Sequence, residues 1–209
     1  GNDASIYGGD GVDAFHITGG NNVWVADLAA GTDTVMSVDA SHEVLTVTNG
    51  ASVYVDLAGN YTATVDTYNN DSAVTVAANG HNVDLSQALV VDAATDGFTI
   101  VNDWSYSVSI TGSTANDTII STQGDTIYGG AGNDSISASG MGVYVEGGDG
   151  NDNVAIDGLG VSAYGNAGND TITATMGQYA TLSGGDGDDA FPITGGNNVW
   201  VADLAAGTD

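Results

Sequence analysis

The stretch Gly129-Gly-Ala-Gly-Asn-Asp134 sets the pattern on which the rest of the chain is built. The pattern returns at Gly147-Gly-Asp-Gly-Asn-Asp152, Gly165-Asn-Ala-Gly-Asn-Asp170 and Gly184-Gly-Asp-Gly-Asp-Asp189, in steps of 18, 18 and 19 residues. A short alternating run such as Ser135-Ile136-Ser137 follows the aspartate. Glycine-rich turns that alternate with β-prone runs at a near-constant step predict a solenoid of stacked coils.

The repeated turn resembles the signature of the RTX (repeats-in-toxin) family, G-G-x-G-x-D-x-U-x, in which U is a large aliphatic residue. The close match lies at residues 1–13 and 114–189. The resemblance implies an all-β fold, a parallel β-roll or β-helix solenoid with calcium between stacked turns, and type I secretion from a Gram-negative cell. In the family both turns of each coil carry the motif. The alternate turns here, at Gly142, Gly160 and Gly177, lack an aspartate, so we expect one row of calcium sites on one edge.

The charge of the chain supports a role for a metal cation independently of the family. There are 27 acidic residues and no lysine or arginine among the 209 residues. Coils stacked about 4.8 Å apart align Asp134, Asp152, Asp170 and Asp189 in a column. Two carboxylates at that distance repel each other by roughly 3 to 4 kcal/mol at an effective dielectric constant near 20. Calcium accepts carboxylate and backbone carbonyl oxygens in flexible geometry and fits such turns better than magnesium. The alternative is an acidic surface with ordinary glycine turns, but acids that only solvate a surface need not recur at this step.

The candidate metal ligands fall into three groups. The first is the column of four aspartates, with Asp13, Asp33 and Asp117 as outlying members. Asp125 lies on the opposite predicted edge and marks an isolated candidate site there. Second-rank candidates within the turns are Asp10, Asn133, Asp149, Asn151, Asn169, Asp186 and Asp188.

The chain also repeats itself on a longer scale. Gly8–Asp33 (the first copy) and Gly184–Asp209 (the second copy) differ at only two of 26 positions, with an offset of 176 residues. We therefore expect a tandem array of 176-residue units. The predicted organisation is RTX-type coils at 1–36, calcium-poor β-helix coils at 37–112, a calcium-binding β-roll at 113–176 and the start of the next unit at 177–209. A separate β-sandwich is the alternative for the calcium-poor segment.

Composition argues against several functional classes. The absence of cysteine excludes disulfides and thiol catalysis. His16, His42 and His81 are far apart in sequence, and no G-x-S-x-G nucleophile elbow is present. Known β-helix enzymes that act on acidic polysaccharides use lysine or arginine, which this chain lacks, so we expect no enzyme. A net charge of −27 argues against binding nucleic acid or an anionic membrane, and no apolar run is long enough to insert into a bilayer.

The aromatic residues have two readings. They either stack as a ladder along one face of the solenoid, which we favour, or form a sugar-binding surface. The residues concerned are Tyr7, Trp24, Trp104, Tyr128, Tyr164 and Trp200.

These observations predict a structural calcium-binding repeat unit of a secreted bacterial filament, surface layer or adhesin stalk, which folds when it meets extracellular calcium. The expected partners are other copies of the same chain, in tandem and end to end. The alternatives are an adhesin module that binds cell-surface glycans, and an RTX carrier domain for a secreted toxin or hydrolase.

Overall fold

The computed structural model describes residues 4–16, 23–38, 43–47, 52–63, 67–69, 73–90, 92, 97–175 and 179–203. In these ranges the chain forms 21 β-strands and no helix, so no helix there could cross a membrane. The predicted fold class is confirmed: the strands build a parallel β-solenoid of about seven turns. The strands are β1 Ala4–Gly11, β2 Ala14–His16, β3 Val23–Val38, β4 Glu43–Val47, β5 Ser52–Leu57, β6 Tyr61–Thr62, β7 Tyr68–Asn69, β8 Ala73–Ala77, β9 Val83–Asp84, β10 Leu89–Val90, β11 Phe98–Asn102, β12 Ser109–Thr111, β13 Thr118–Ser121, β14 Thr126–Ala131, β15 Ser135–Ser139, β16 Tyr144–Asp149, β17 Asn153–Asp157, β18 Ser162–Ala167, β19 Thr171–Ala174, β20 Thr181–Asp186 and β21 Trp200–Asp203.

The strands form two parallel sheets, and from β11 to β20 successive strands alternate between them. The first sheet has 13 strands, in the order β10-β7-β4-β3-β5-β8-β11-β13-β15-β17-β19, with β1 and β2 also paired to β3. The second sheet has eight, in the order β21-β20-β18-β16-β14-β12-β9-β6. From β11 to β20, each coil contributes one strand to each sheet. The described strands of the calcium-poor segment lie in these same two sheets.

The core lies between the two sheets and is made of aliphatic side chains in register. One column runs through the first sheet and another through the second, and all their members are buried. Each such side chain stabilises the fold by roughly 1.5 to 3 kcal/mol when it is a large aliphatic residue. A shift of one residue would turn a whole column towards solvent, so the pattern fixes the register. The columns are Ile119, Ile136, Val154 and Ile172, and Ile127, Val145, Ala163 and Leu182.

The register also stacks the glycine-rich turns on one another. Residues 129–134 run from the end of β14 to the start of β15, residues 147–152 from the end of β16 to the start of β17, and residues 165–170 from the end of β18 to the start of β19. All three connections therefore pass from the second sheet to the first on the same edge of the solenoid. We call this the acidic edge, and the edge with the alternate turns at 140–143 and 158–161 the opposite edge.

Candidate metal sites along the acidic edge

The motif aspartates form a hydrogen-bonded column. The Asp117 N–H donates to Asp134 Oδ1 at 2.7 Å, and the Asp134 N–H donates to Asp152 Oδ1 at 2.8 Å. The Asp152 N–H donates to Asp170 Oδ1, and the Asp170 N–H to Asp189 Oδ1, each at 2.8 Å. All five side chains are buried. The structure thus brings together the four aspartates that the sequence places in one row.

The second carboxylate oxygen is the unusual feature of this column. Oδ2 of Asp134, Asp152 and Asp170 is buried and accepts no hydrogen bond from the described part of the chain. A buried polar atom without a partner is costly, and a charged one is more so. These oxygens therefore need a donor or a cation.

The first glycine of each turn leaves room beside that oxygen. A Cβ built on Gly147 would overlap Asp152 Oδ2 and would lie only 2.8 Å from the carbonyl oxygen of Gly165 in the next coil. The same relation holds one coil earlier, where a Cβ on Gly129 would meet Asp134 Oδ2 and the Gly147 carbonyl. A carboxylate oxygen and a carbonyl oxygen from neighbouring coils thus converge where any other residue would place a side chain.

The electrostatics of the column oppose ionisation when no metal is bound. Burial, helped by the neighbouring carboxylates of Asp117 and Asp152, raises the pKa of Asp134 from 3.8 to about 8, against the lowering effect of the Asp117 N–H. Burial likewise raises the pKa of Asp152 to about 7 and that of Asp170 to about 6. At neutral pH these buried carboxylates therefore lower the stability of the folded state unless a cation compensates their charge.

The donor set fits calcium. Within the described ranges no three His, Cys, Asp or Glu side chains converge on one point, so an ion here must also draw on backbone carbonyls. Calcium takes six to eight oxygen ligands and accepts such carbonyls, whereas zinc sites are built from histidine and cysteine. The side chains that would hold the ions are Asp134, Asp152 and Asp170, together with Asp189, whose Oδ2 lies against Gly184 in the same way.

A second ladder, made by asparagines, runs beside the aspartates. The Asn151 N–H donates to Asn133 Oδ1 at 2.7 Å, and the Asn169 N–H donates to Asn151 Oδ1 at 2.6 Å. It continues to Asn116 on one side and to the Asp188 N–H on the other. Each asparagine side chain accepts a hydrogen bond from the following coil, whereas each aspartate side chain accepts one from the preceding coil. The asparagines are solvent-exposed. This role for Asn133, Asn151 and Asn169 was not predicted from the sequence, although an asparagine at the same place in three successive turns was the available signal.

The column ends at Asp117, where a serine replaces a glycine of the motif. Ser113 stands where the next coil has Gly130. Its N–H donates to Asp117 Oδ2 at 2.5 Å, and its hydroxyl lies 3.1 and 3.0 Å from the two carboxylate oxygens. The Phe98 N–H donates to Oδ1 at 2.6 Å. Burial still raises the pKa of Asp117 to about 6, but both of its oxygens have protein donors.

Asp125 on the opposite edge is also served by protein donors. Its Oδ1 accepts from the Val108 N–H at 2.8 Å. Its Oδ2 accepts from Asn102 Nδ2 at 2.8 Å and from Ser121 Oγ at 2.6 Å. The side chains of Asp125 and Asn102 are both fully buried. The asparagine amide thus occupies a position where the sequence suggested a cation.

The remaining predicted ligands are less enclosed. Asp13 is half-buried, and the backbone of Asp33 lies in β3 opposite Val53, with its side chain outside the described part. Metal binding by any single residue stays a prediction. Besides the three asparagines of the ladder, the exposed members of the predicted set are Asp10, Asp149, Asp186 and Asp188.

Tyrosines cluster on the outer face of the second sheet. The ring centroids of Tyr128 and Tyr144 are 6.2 Å apart, and those of Tyr144 and Tyr164 are 5.5 Å apart. Glu146 lies between Tyr128 and Tyr164 in the strand register and accepts a hydrogen bond from the Tyr144 hydroxyl. We call these four residues the tyrosine patch. Trp104 and Trp200 are exposed elsewhere, and the side chain of Trp24 lies outside the described part.

Comparison with known families agrees with this geometry. The family model of the RTX calcium-binding nonapeptide repeat (4 copies) matches residues 111–140 and 162–178. Together with the β-solenoid this confirms the predicted resemblance and the predicted cofactor, because these repeats bind calcium. The repeat family is structural rather than catalytic, and proteins that carry it are typically secreted or extracellular. Neither a curated protein nor a solved structure was found to match the chain.

Proposed function

We propose that this RTX-repeat solenoid is a structural unit of a secreted bacterial filament, surface layer or adhesin stalk. Calcium outside the cell stabilises the acidic edge and makes the unit rigid. Inside the cell calcium is scarce, so the chain stays extended and passes through a type I secretion system. In this proposal the calcium sites allow the chain to fold only after it has left the cell.

One observation carries the proposal. The Asp170 N–H belongs to the first 176-residue unit, and its acceptor, Asp189 Oδ1, belongs to the second copy. The aspartate column therefore crosses the boundary between units without a linker. A solenoid contacts only its neighbours along the axis, so such units form a continuous rod rather than a string of separate domains.

The composition suits an exposed fibre. The chain offers no lysine or arginine to trypsin-like proteases. Its high negative charge keeps separate rods apart, because like charges repel over about 10 Å at an ionic strength near 0.1 M.

The test is solution scattering combined with circular dichroism, in calcium and in EDTA. We expect a rod-shaped particle with strong β signal in calcium and an expanded chain in EDTA. A chain that keeps its full β signal in EDTA would contradict calcium-driven folding. Electron microscopy of the native material then tests the role itself, since the proposal requires continuous fibres or sheets and separate globular particles would exclude it.

A glycan-binding adhesin module is the second candidate. The tyrosine patch supports it, because aromatic rings beside a carboxylate are suited to stacking on a sugar and accepting its hydroxyls. Trp104 and Tyr106 form another exposed aromatic pair, which packs near Gly80. A glycan array should lose binding with Tyr144→Ala or Trp104→Ala and keep it with Tyr179→Ala, a change at an exposed tyrosine elsewhere. No glycan signal from the unmodified chain would exclude this candidate.

A further inference from the structure

The tyrosine patch brings three of the chain's nine tyrosines together on one face of the solenoid. Tyr128, Glu146 and Tyr164 lie in register on β14, β16 and β18, and Tyr144 lies two residues before Glu146 on β16. Residues two apart on a strand point to the same face, so these side chains project outward, opposite to the buried Val145. The patch therefore spans three successive coils in the interior of the repeat region.

Neighbouring rings of the patch lie within contact distance. The ring centroids of Tyr144 and Tyr164 are 5.5 Å apart with an angle of 43° between the rings, and those of Tyr128 and Tyr144 are 6.2 Å apart with an angle of 58°. Such separations are typical of aromatic side chains that touch. The strand β16 lies between Tyr128 and Tyr164, so their backbones are separated by about twice the strand spacing of 4.8 Å. Tyr144 thus has a ring partner in each neighbouring coil, and Tyr164 is the nearer one.

Glu146 gives Tyr144 a proton acceptor. The Tyr144 hydroxyl donates a hydrogen bond to Glu146 Oε1. This bond, together with burial and the charge of Glu146, raises the pKa of Tyr144 from 10.0 to about 12. The phenol therefore stays protonated at neutral pH, but its proton already faces a base within hydrogen-bond reach. A phenol in this arrangement can lose an electron while its proton passes to the carboxylate, so no charged ring has to form.

The position of this acid sets it apart from the acidic edge. Glu43 and Glu146 are the only glutamates among the 27 acidic residues of the chain. Glu146 lies on β16 before the glycine-rich turn, between two coils that carry a tyrosine at the same register position. Its carboxylate serves the Tyr144 hydroxyl rather than the aspartate column. The patch therefore combines two adjacent phenols with a base for one of them.

We propose that Tyr144 and Tyr164 form a site of oxidative cross-linking, at which a carbon–carbon bond between the two rings joins β16 to β18 within one molecule. The reagent that the site takes is a one-electron oxidant of phenols, such as a haem peroxidase supplied with hydrogen peroxide. This inference goes beyond the proposed function, because it adds to the solenoid a covalent bond that does not depend on calcium.

The reaction balances as a coupling of two phenols. Each tyrosine loses one electron and its hydroxyl proton and becomes a phenoxyl radical, and at Tyr144 the proton passes to Glu146. The two radicals join at the ring carbons next to the carbons that carry oxygen. The hydrogen on each of these carbons then moves as a proton to the oxygen of the same ring, which restores both phenols. In total two protons and two electrons leave the pair, and they reduce one hydrogen peroxide to two water molecules.

The bond connects two coils that share a candidate calcium site. The strands β16 and β18 run into the turns at 147–152 and 165–170. A Cβ on Gly147 would meet both the Asp152 carboxylate and the Gly165 carbonyl, so these two turns together supply the oxygens of one site. A cross-link stabilises a fold mainly because it restricts the unfolded chain. In a chain without cysteine, a tyrosine pair can supply that restriction where a disulfide cannot.

The first test maps the bond. The calcium-loaded protein is treated at low concentration with a haem peroxidase and hydrogen peroxide, cleaved at acidic residues and analysed by mass spectrometry. We expect monomers with dityrosine fluorescence and a linked pair of peptides that contains Tyr144 and Tyr164 and has lost two hydrogens. Tyr144→Phe should lower the fluorescence several-fold, and Tyr179→Phe, at an exposed tyrosine outside the patch, should not. Links that form mainly between molecules, or mainly at Tyr7 and Tyr106, which are 67 % and 68 % exposed, would overturn the proposal.

The second test examines the proton acceptor. Glu146→Gln keeps an oxygen that can accept the Tyr144 hydrogen bond, but an amide does not take up the proton at neutral pH. The variant should therefore form the link several-fold more slowly than the parent, with the same β signal in calcium. An equal rate in the two proteins would overturn the role of Glu146 in the reaction.

The third test measures what the bond does for the fold. In a calcium titration followed by circular dichroism, the cross-linked protein should reach half of its β signal at a several-fold lower calcium concentration than the untreated protein. Tyr144→Phe treated with the same oxidant is the control, because Met141 is 73 % exposed and should be oxidised in both proteins. Equal midpoints for the cross-linked protein and this control would overturn the stabilising role of the bond.

The cross-link and the proposed function fail separately. A chain that folds into a rod with calcium but gives no link between residues 144 and 164 would overturn the cross-linking site and leave the proposed function standing. A chain whose β signal does not respond to calcium would overturn the proposed function, whereas a mapped link in that chain would still support the site.

Discussion

Asp152→Asn should change the stability of the protein in opposite directions with and without calcium. In the structure Asp152 Oδ1 accepts the Asp134 N–H, and Oδ2 is buried without a donor from the described residues. Asparagine keeps an oxygen for the first contact and places a neutral amide where the second oxygen was. The substitution therefore removes the charge and leaves the shape of the turn almost unchanged.

The size of the effect follows from the burial of this carboxyl. Burial raises the pKa of Asp152 from 3.8 to about 7. At a pH above both values this opposes the metal-free fold by about 4 kcal/mol. Burying an amide instead costs about 1 to 3 kcal/mol, so the variant should be more stable than the parent by about 2 kcal/mol in EDTA. Calcium at a concentration about 100 times its Kd stabilises the parent by about 2.7 kcal/mol. The variant loses this stabilisation. The order of stability should therefore reverse before calcium reaches that level, at roughly 30 times its Kd.

The assay is urea unfolding followed by far-ultraviolet circular dichroism, with TMAO added throughout so that the metal-free proteins are folded at the start. Asp157→Asn is the matched control, because Asp157 is an exposed aspartate on the neighbouring β17. It should show no reversal. If Asp152→Asn lowers stability by the same amount in EDTA and in calcium, the carboxylate serves only the hydrogen-bond ladder, and the reasoning is refuted.

Three further predictions test other parts of the acidic edge and its surroundings. Gly147→Ala places a Cβ on the carboxylate of the same turn, so this variant should bind one calcium ion fewer in titration calorimetry. The control Gly195→Ala should bind the full number, because the atom nearest to its added Cβ is 3.6 Å away. Asn102→Leu removes a hydrogen-bond donor from buried Asp125, so it should lower the free energy of unfolding in urea by about 1 to 3 kcal/mol, equally in calcium and in EDTA. A loss of stability that depends on calcium would indicate an ion at Asp125. The folded-state pKa values of Asp117, Asp134, Asp152 and Asp170 lie above the usual 3.8 of aspartate and reach about 8 at Asp134, so the folded form binds more protons between these values. Metal-free protein that TMAO keeps folded should therefore lose stability as pH rises from about 4 to about 8, and melting temperatures in EDTA and TMAO that rise over this interval would contradict the assigned burial.

The sequence predicted the fold and the aspartate column because both depend on a period. Residues one period apart, such as Asp134 and Asp152, must stack if each coil has the same length. The alternation of Ser135, Ile136 and Ser137 fixes which side chains enter the core. These two features needed no knowledge of contacts between particular atoms.

The sequence could not predict which hydrogen-bond donor or ion each buried acid contacts, because that depends on single contacts between particular side chains. Ser113 serves Asp117 within its own turn, and Asn102 reaches Asp125 across 23 residues. Neither contact has a periodic signature. The asparagine ladder is periodic, but a turn asparagine can equally be a metal ligand or a backbone acceptor, and only the distance to the Asn151 N–H separates the two.

The chain thus meets one physical problem, a buried carboxylate at a tight turn, in three ways. Asp117 uses a serine hydroxyl and N–H groups, Asp125 uses an asparagine amide, and Asp134, Asp152 and Asp170 leave an oxygen for a cation. The first two solutions are made by the chain itself and hold at any calcium concentration. The third works only when calcium is present, and it dominates from residue 129 to the start of the next unit. Since hydrogen-bonded acids and metal-dependent acids occupy separate coils, calcium dependence follows from the order of the coils along the chain. In a tandem array, removal of calcium should therefore loosen each unit first at its boundary with the next, and leave the coils around Asn102 folded for longest.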